Sequence, residues 1–539
     1  MGVIIKIILK VFINDLVCEG CGDCSKQSNC LSIVPKETKL GRKRMIDQSS
    51  CNKDYSCVKG FCPSFVSVEG GELKKPEPRA FSDELETLLA ALPAPQRPQI
   101  DRVYDLLIGG VGGTGVVTIG AITTMAAHLE GKGASVLDFM GFAQKGGTVL
   151  SYVRLAETPD ALNQVRIDRG EAEAAILCDL VVGTDPRALY VMREGHTRAI
   201  ANTDIIPTAD FIRDRNMDFQ SHLRVKTIRD ACSDENVDSF DANTVAGRLM
   251  GDFVFSNMLL FGFAWQKGLV PLSLQAIEKA IELNGVAVEK NKRAFSLGRA
   301  AAVEAGVVHR AAGLGDAPEI EENLDNIVSY RADFLTAYQN VAYATSYRDF
   351  VADMEKAAGA LPGADEFAKA AARNLFKLMA YKDEYEVARL YTDGSFRKKL
   401  AEQFAGDYRL KFHMAPPMFH RGLDPEGRPK KSEFGPWMQG ALNVLAKFKF
   451  LRGTVFDPFG RSTERRMERQ LIEDYKRRLT ELAPRLTPAN IGTATKIAAL
   501  PQDIRGFGPV KEKSVAEVDK RLKILLEEFD AAEPASRAA

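Results

Sequence analysis

Seven of the nine cysteines lie between Cys18 and Cys62, in two runs. The first is Cys18-x2-Cys21-x2-Cys24-x5-Cys30; the second is Cys51-x5-Cys57-x4-Cys62-Pro63. Three cysteines each separated by two residues can wrap their sulfurs around one face of an iron–sulfur cubane, and a distant Cys-Pro closes the fourth corner. Zinc sites usually pair two C-x2-4-C units, and a triple run is unusual for them. Disulfides fit poorly, because seven is odd and no secretion signal is present. The spacing therefore names electron transfer before any other residue is consulted.

The second run holds an eighth ligand candidate. Read from Cys51 it is Cys51-x2-Asp54-x2-Cys57, the first run with its middle cysteine replaced by Asp54. In two-cluster ferredoxins the fourth cysteine of each run serves the other cluster. One [4Fe–4S] cluster then takes Cys18, Cys21, Cys24 and Cys62, and the other takes Cys51, Asp54, Cys57 and Cys30. Two clusters are favoured over one; with one, Asp54 is an ordinary loop residue. The gaps before Cys30 and Cys62 exceed the usual three residues, and Leu31 rather than proline follows Cys30.

At 539 residues the chain is long enough for three or more domains. Lys+Arg and Asp+Glu are 72 each, so no global basic field attracts nucleic acid. Outside the cysteine runs only Cys178 and Cys232 remain, which fits a reducing cytoplasm. The opening stretch MGVIIKIILKVFI is apolar but short and interrupted by Lys6 and Lys10. It is read as a strand leading into the cysteine module rather than a signal peptide or membrane span. The Met258 to Trp265 stretch is read as a buried helix.

The expected division is a ferredoxin-like module over 1–72, a Pro-rich linker over 73–99 with one short helix, an α/β domain over 100–312, a mainly helical region over 313–530 and a tail over 531–539. The fold class is thus a multidomain mixture of α+β and α/β, with a Rossmann-like second domain. That domain opens with a strand at Val103 to Ile108, the turn Gly109-Gly110-Val111-Gly112-Gly113-Thr114-Gly115, a helix to about Leu129 and a second strand at Ala134 to Phe139. Glycines at 110, 112, 113 and 115 let the backbone approach a phosphate at a helix N-terminus. Asp138 sits where a ribose-binding acid would lie. Packing of strand on helix explains the same glycines without a ligand. Gln144, Lys145, Gly146 and Gly147 follow the second strand and are expected on the same edge of the sheet, where Lys145 either meets an anion or is a solvated lysine.

The cysteine block CEGCGDCSKQSNC…CNKDYSCVKGFCPS, the turn GGVGGTG and the block GFAQKGG, in this order, resemble the carboxyl-terminal part of the large fused indolepyruvate ferredoxin oxidoreductases, members of the 2-oxoacid:ferredoxin oxidoreductases. The α/β segment is similar to that family's gamma-type domain. The later KDEYEVARL and FDPFG blocks look like the extension of the fused subgroup. The resemblance implies oxidative decarboxylation of a 2-oxoacid with coenzyme A, giving acyl-CoA, carbon dioxide and reduced ferredoxin, with thiamine diphosphate carrying the carbanion chemistry. In the fused enzymes the thiamine-binding domains precede the cysteine block. Here about 17 residues precede Cys18, and no Gly-Asp-Gly occurs. Thiamine diphosphate and its magnesium ion are therefore expected on a partner chain or on domains outside this sequence, within an oligomer. The competing readings are a flavin- or nicotinamide-dependent iron–sulfur oxidoreductase and an inactive fragment.

The six histidines show no metal spacing on one helix. His413 and His420 flank a Pro-rich stretch read as a buried loop. Arg461, Arg465, Arg466 and Arg469, interleaved with Glu464 and Glu468, read as an ion-paired helix face. Cys178 reads as an inert strand residue.

Overall fold

The computed structural model describes residues 9–74, 77–113, 115–140, 147–204, 214, 221–314, 323–416, 422–424 and 428–532. The expected segments are gathered into two compact units: one joins residues 1–74 to 319–539, and the other is 75–318.

The first unit begins with β1 (Leu9–Ile13), a short helix Asp23–Ser28, and the hairpin of β2 (Ile33–Lys36) with β3 (Lys43–Ile46). A single 3-10 turn, Ser56–Lys59, leads to β4 (Phe65–Leu73), which pairs antiparallel with β1. The order strand–helix–strand is thus given twice, and each cysteine run fills the helical position of one half. The cysteine segment does not stand alone. β11 (Phe404–Met414) pairs with the free edge of β4, placing Phe412 opposite Val66, and β12 (Ser432–Phe434) pairs with β11. His413, which flanks the Pro-rich stretch, is itself buried at the C-terminal end of β11. His420 and Arg421 lie outside the described residues.

The rest of this unit is helical. Leu324–Tyr338, Val341–Ala358, Ala364–Met379, Thr463–Leu482, Ile491–Ala499 and Pro509–Ala531 bury Leu335, Tyr347, Phe367, Leu375, Leu479 and Phe529 in one core. The arginine-rich helix carries its charge as expected: Arg465 pairs with Glu468 and, at 3.3 Å, with Glu384. Arg461, Arg466 and Arg469 lie around the same N-terminal end, and Arg469 donates to the Gly460 carbonyl.

The second unit holds a sheet ordered β10-β9-β8-β5-β7-β6. Its strands are β5 (Tyr104–Val111), β6 (Gly133–Phe139), β7 (Thr148–Ala156), β8 (Ala174–Leu177), β9 (Arg198–Asn202) and β10 (Val237–Phe240). β5 is buried along its whole length because both faces are covered. Leu106 and Ile108 face the core shared with the helices Val116–Leu129 and Ser256–Gln266, while Leu107 faces Leu177, Leu180 and Val191. Ser256–Gln266 is the buried helix expected around Met258. Arg154 on β7 clamps Asp105 on β5 through two hydrogen bonds of 2.7 and 3.0 Å. The short linker helix is Asp83–Ala90, N-capped by the Ser82 hydroxyl.

One expectation is corrected here. A dinucleotide-binding unit pairs its first two strands directly, which brings the acid on the second to the ribose. Here antiparallel β7 is inserted between β5 and β6, and Asp138 is opposite Ser151 on β7. β6 is an edge strand, so Asp138 is one strand further from the glycine turn than that geometry requires. No helix among the described residues is long and apolar enough to cross a membrane.

Candidate functional site

The two cysteine runs are folded against each other. Asp23, between Cys21 and Cys24, accepts the Phe61 backbone N–H at 2.6 Å, which fixes the segment just before Cys62. Gly60 N–H donates to Cys57 O at 3.0 Å, closing the 3-10 turn. A Cβ on Gly60 would lie 2.8 Å from Cys24 Cα, so the turn and the first helix touch only because position 60 has no side chain. Cys18, Cys24 and Cys57 are buried with Val11, Ile13, Ile33, Ile46 and Phe65, and Cys30, Cys51 and Cys62 pack on them.

This folding brings thiols of the two runs close enough to act on one another. Burial pushes the Cys18 thiol up, and Cys62 adds to the effect. Burial likewise raises Cys21, with Cys62 and Cys18 contributing, and raises Cys24, with Cys21, Cys62 and Cys18 contributing. Cys57 is pushed up to about 12 by burial, then by Cys30, Cys51 and Asp54. Cys62 of the second run thus acts on all three thiols of the first, and Cys30 of the first run acts on Cys57 of the second, beside Cys51 and Asp54.

Asp54 is exposed, and its Oδ1 accepts from the backbone N–H and hydroxyl of Ser56 at 3.1 and 2.9 Å. One carboxylate oxygen is thus engaged in starting the turn that carries Cys57. Among the described residues no three His, Cys, Asp or Glu side chains converge as ligands of a single ion would. A cubane is held differently, since each thiolate takes its own iron corner and the ligands ring the cluster.

The surroundings fit a negatively charged sulfur-ligated group. Gly20 N–H donates to Cys18 Sγ at 3.3 Å, and the Ser64 hydroxyl is 3.0 Å from Cys62 Sγ. Arg44 is almost fully buried; burial lowers its pKa, and Cys24, Cys18 and Cys21 act against that loss. Lys43 is pushed down to about 8 by burial and by Lys382, with Glu19 and Cys18 opposing. Burial lowers Lys431, while Cys62, Cys24, Asp23 and Cys57 hold its charge. Buried cations are stable only beside negative charge, and thiolates on a cluster would supply it.

Sequence reasoning missed these cations. Lys431 and Arg428 come from the segment before β12, hundreds of residues from the cysteines, and carry no motif. Arg428 contacts Asp23 at 3.3 Å and Asp424 at 2.8 Å.

In the second unit the glycine turn lies between β5 and the helix Val116–Leu129. Gly112 N–H donates to Gly147 O at 2.8 Å, so the turn and the end of the second motif do meet. Gln144, Lys145 and Gly146 lie outside the described residues. Gly113 and Gly115 take φ of 97° and 79°, in the left-handed region. Gly110 lies at the end of β5, opposite Val149. A Cβ on Gly115 would stand 1.9 Å from Asn257 Nδ2. Away from this turn, Asp138 Oδ1 on β6 and Ser151 Oγ, which lies against Gly120 of the helix Val116–Leu129, are buried without a hydrogen-bond partner. Cys178 directly follows β8, and burial pushes its thiol up to about 12, which suits an inert residue.

Residues 105–301 match the family described as Pyruvate ferredoxin/flavodoxin oxidoreductase, and residues 324–524 match a family of unknown function, DUF6537. Residues 105–301 are thus the stretch that is similar to that oxidoreductase family. The chain is 28% identical over 207 residues to a protein named indolepyruvate oxidoreductase subunit IorB from Methanothermobacter thermautotrophicus, covering 37% of this chain and 98% of that one. It is 27% identical over 208 residues to the protein of the same name from Pyrococcus horikoshii, covering 38% and 98%. A solved structure described as a keto/oxoacid ferredoxin oxidoreductase gamma subunit from Geobacter sulfurreducens aligns at 20% identity and TM-score 0.26, covering 37% of this chain and 98% of that one. The motif-based resemblance to 2-oxoacid:ferredoxin oxidoreductases agrees with the matched family and the named relatives.

Proposed function

We propose that this chain is the iron–sulfur and gamma-type portion of a 2-oxoacid:ferredoxin oxidoreductase, with indolepyruvate as the favoured substrate. The reading is supported by the proximity of the two runs, in which Cys62 acts on Cys18, Cys21 and Cys24 while Cys30 acts on Cys57. When bound, [4Fe–4S] clusters accept and pass single electrons. The residues of this chain hold and insulate them. Cys18, Cys21, Cys24 and Cys62 are the ligand set of one, and Cys30, Cys51, Asp54 and Cys57 that of the other. Gly20 N–H and the Ser64 hydroxyl stabilise thiolate charge on Cys18 and Cys62. The apolar wall of Val11, Ile13, Ile33, Ile46 and Phe65 excludes water.

In the second unit, the turn at Gly110, Gly112, Gly113 and Gly115 presents a helix N-terminus, the usual seat of an anionic group. Together with Gln144, Lys145, Gly146 and Gly147 it is the place assigned to a phosphate of coenzyme A. The full reaction, a 2-oxoacid and coenzyme A giving acyl-CoA, carbon dioxide and reduced ferredoxin, is assigned to an oligomeric, cytoplasmic assembly. In it a partner supplies thiamine diphosphate with magnesium, and an external ferredoxin takes the electrons. The insertion of β7 between β5 and β6 weighs against the flavin or nicotinamide alternative.

The test is iron and acid-labile sulfide per chain on anaerobically purified protein. About eight irons support two clusters, and about four leave one cluster with Asp54 structural. Zinc in place of iron removes the redox reading.

A further inference from the structure

We infer that Lys431, supplied by the C-terminal region, sets the reduction potential of the cluster held by Cys18, Cys21, Cys24 and Cys62. The inference rests on the cluster reading above. It also gives a task to a stretch within a matched family that has no function attached to it.

The geometry is local and specific. The Gly60 carbonyl accepts two hydrogen bonds, from Cys62 N–H at 2.9 Å and from Lys431 Nζ at 2.6 Å. The ammonium group is therefore bonded to the carbonyl that positions the Cys62 backbone. Gly60 also rests on Cys24, where a Cβ would come within 2.9 Å of the Cys24 Cβ. Lys431 Nζ stands 4.9 Å from the centre of the Phe65 ring, in the same apolar wall as the thiols. Its side chain thus bears on two of the four ligands of the first set. Cys62 and Cys24 act on Lys431 more strongly than Cys57 of the second run does.

The neighbours explain why the charge stays there. Asp23 lies beside it and is shared with Arg428, which is also bound to Asp424. Lys431 reaches into the module because β12 is hydrogen-bonded to β11, and β11 to β4. The C-terminal region therefore both extends the sheet of the cysteine module and delivers a cation to it.

Reduction adds one electron to a cluster and no proton need follow. A fixed positive charge close by stabilises the reduced form more than the oxidised form, because the interaction scales with cluster charge and is little screened in a buried site. Lys431 thus raises the potential of the first cluster and, by its position, raises that of the second less. Electrons are then biased toward the first cluster, and the gap between the two is set by a residue outside the cysteine module.

The experiment is an anaerobic redox titration followed by electron paramagnetic resonance, on the full chain, with iron and sulfide counted on every sample. Lys431→Met should shift the first cluster to a more negative potential and the second by a smaller amount. Lys431→Arg should restore most of the native value, and Lys430→Met, which removes a neighbouring exposed charge, should change neither. Lys431→Gln provides the same charge loss if the methionine variant does not fold. Full iron with unchanged potentials in Lys431→Met or Lys431→Gln overturns this inference alone. So does an arginine variant shifted as far as the methionine one, since geometry rather than charge would then be responsible. Native protein without iron overturns the cluster reading and this inference with it.

Discussion

Asp23 Oδ2 accepts the backbone N–H of Phe61 at 2.6 Å, joining the two cysteine runs through one partly buried hydrogen bond. The same carboxylate touches Arg428 Nη1 at 3.3 Å. Replacing Asp23 by Ala leaves a backbone donor without its partner and removes a neighbour from Arg428, which keeps Asp424. The expected cost is about 1–3 kcal/mol. It should appear as a lower denaturation midpoint together with faster iron loss. A variant with native stability and native iron retention would show that the bond holds nothing together.

Asp54 offers an oxygen where the first run has a cysteine. An oxygen-ligated iron is released more readily than a thiolate-ligated one, so the second cluster should interconvert with a three-iron form on mild oxidation. Asp54→Cys should suppress that interconversion, followed by the three-iron signal in electron paramagnetic resonance. Equal iron loss in native and variant protein would leave Asp54 only the loop role of accepting from Ser56.

His413 is a buried group expected to make stability depend on pH. Its Nε2 is 2.7 Å from the Ser67 hydroxyl, and burial, with Lys431 and Lys411 adding, lowers its pKa to about 4. Glu433, 4.0 Å from Nδ1, is the acid facing it. The unfolded chain takes up a proton near pH 6.5 and the folded chain only near 4, so the unfolded state binds more protons between those values. Stability contributed by neutral His413 is complete above the upper value and is lost as pH falls toward the lower one, by no more than about 3 kcal/mol. Denaturation curves between these limits should steepen in pH dependence for the native protein and flatten for His413→Gln. Parallel curves would exclude His413 as the source.

Gly115 combines two constraints that one pair of variants separates. Its φ of 79° disfavours a side chain, and an added Cβ would press on Asn257 Nδ2. Gly115→Ala should destabilise the second unit by about 1–3 kcal/mol. Adding Asn257→Ala should recover the steric part and leave about 1–2 kcal/mol from the left-handed backbone. Thermal unfolding of the four proteins measures the coupling, and strict additivity would mean that the contact is not felt.

Local patterns were the legible part. The turn at Gly109 to Gly115 between a strand and a helix follows from glycine placement, and the buried helix near Met258 follows from its continuous apolar residues. The closeness of the two cysteine runs was readable from spacing, because each run fills the helical position of one strand–helix–strand half. Asp138 was misread because nothing in a strand–turn–helix–strand string reports a later strand entering between its two strands. The third strand, Thr148–Ala156, has the composition of any buried strand, and only pairing with both neighbours shows where it lies.

The amino-acid order by itself determined which residues are chemically able to hold a cluster and where the backbone must turn, since thiol spacing and glycine conformational freedom are properties of short segments. Tertiary structure alone decided that residues after position 400 complete the sheet of the cysteine module and place Lys431 and Arg428 against it. Strand pairing and the burial of a charge depend on groups far apart in the chain, and their energies exist only once both partners have left water together.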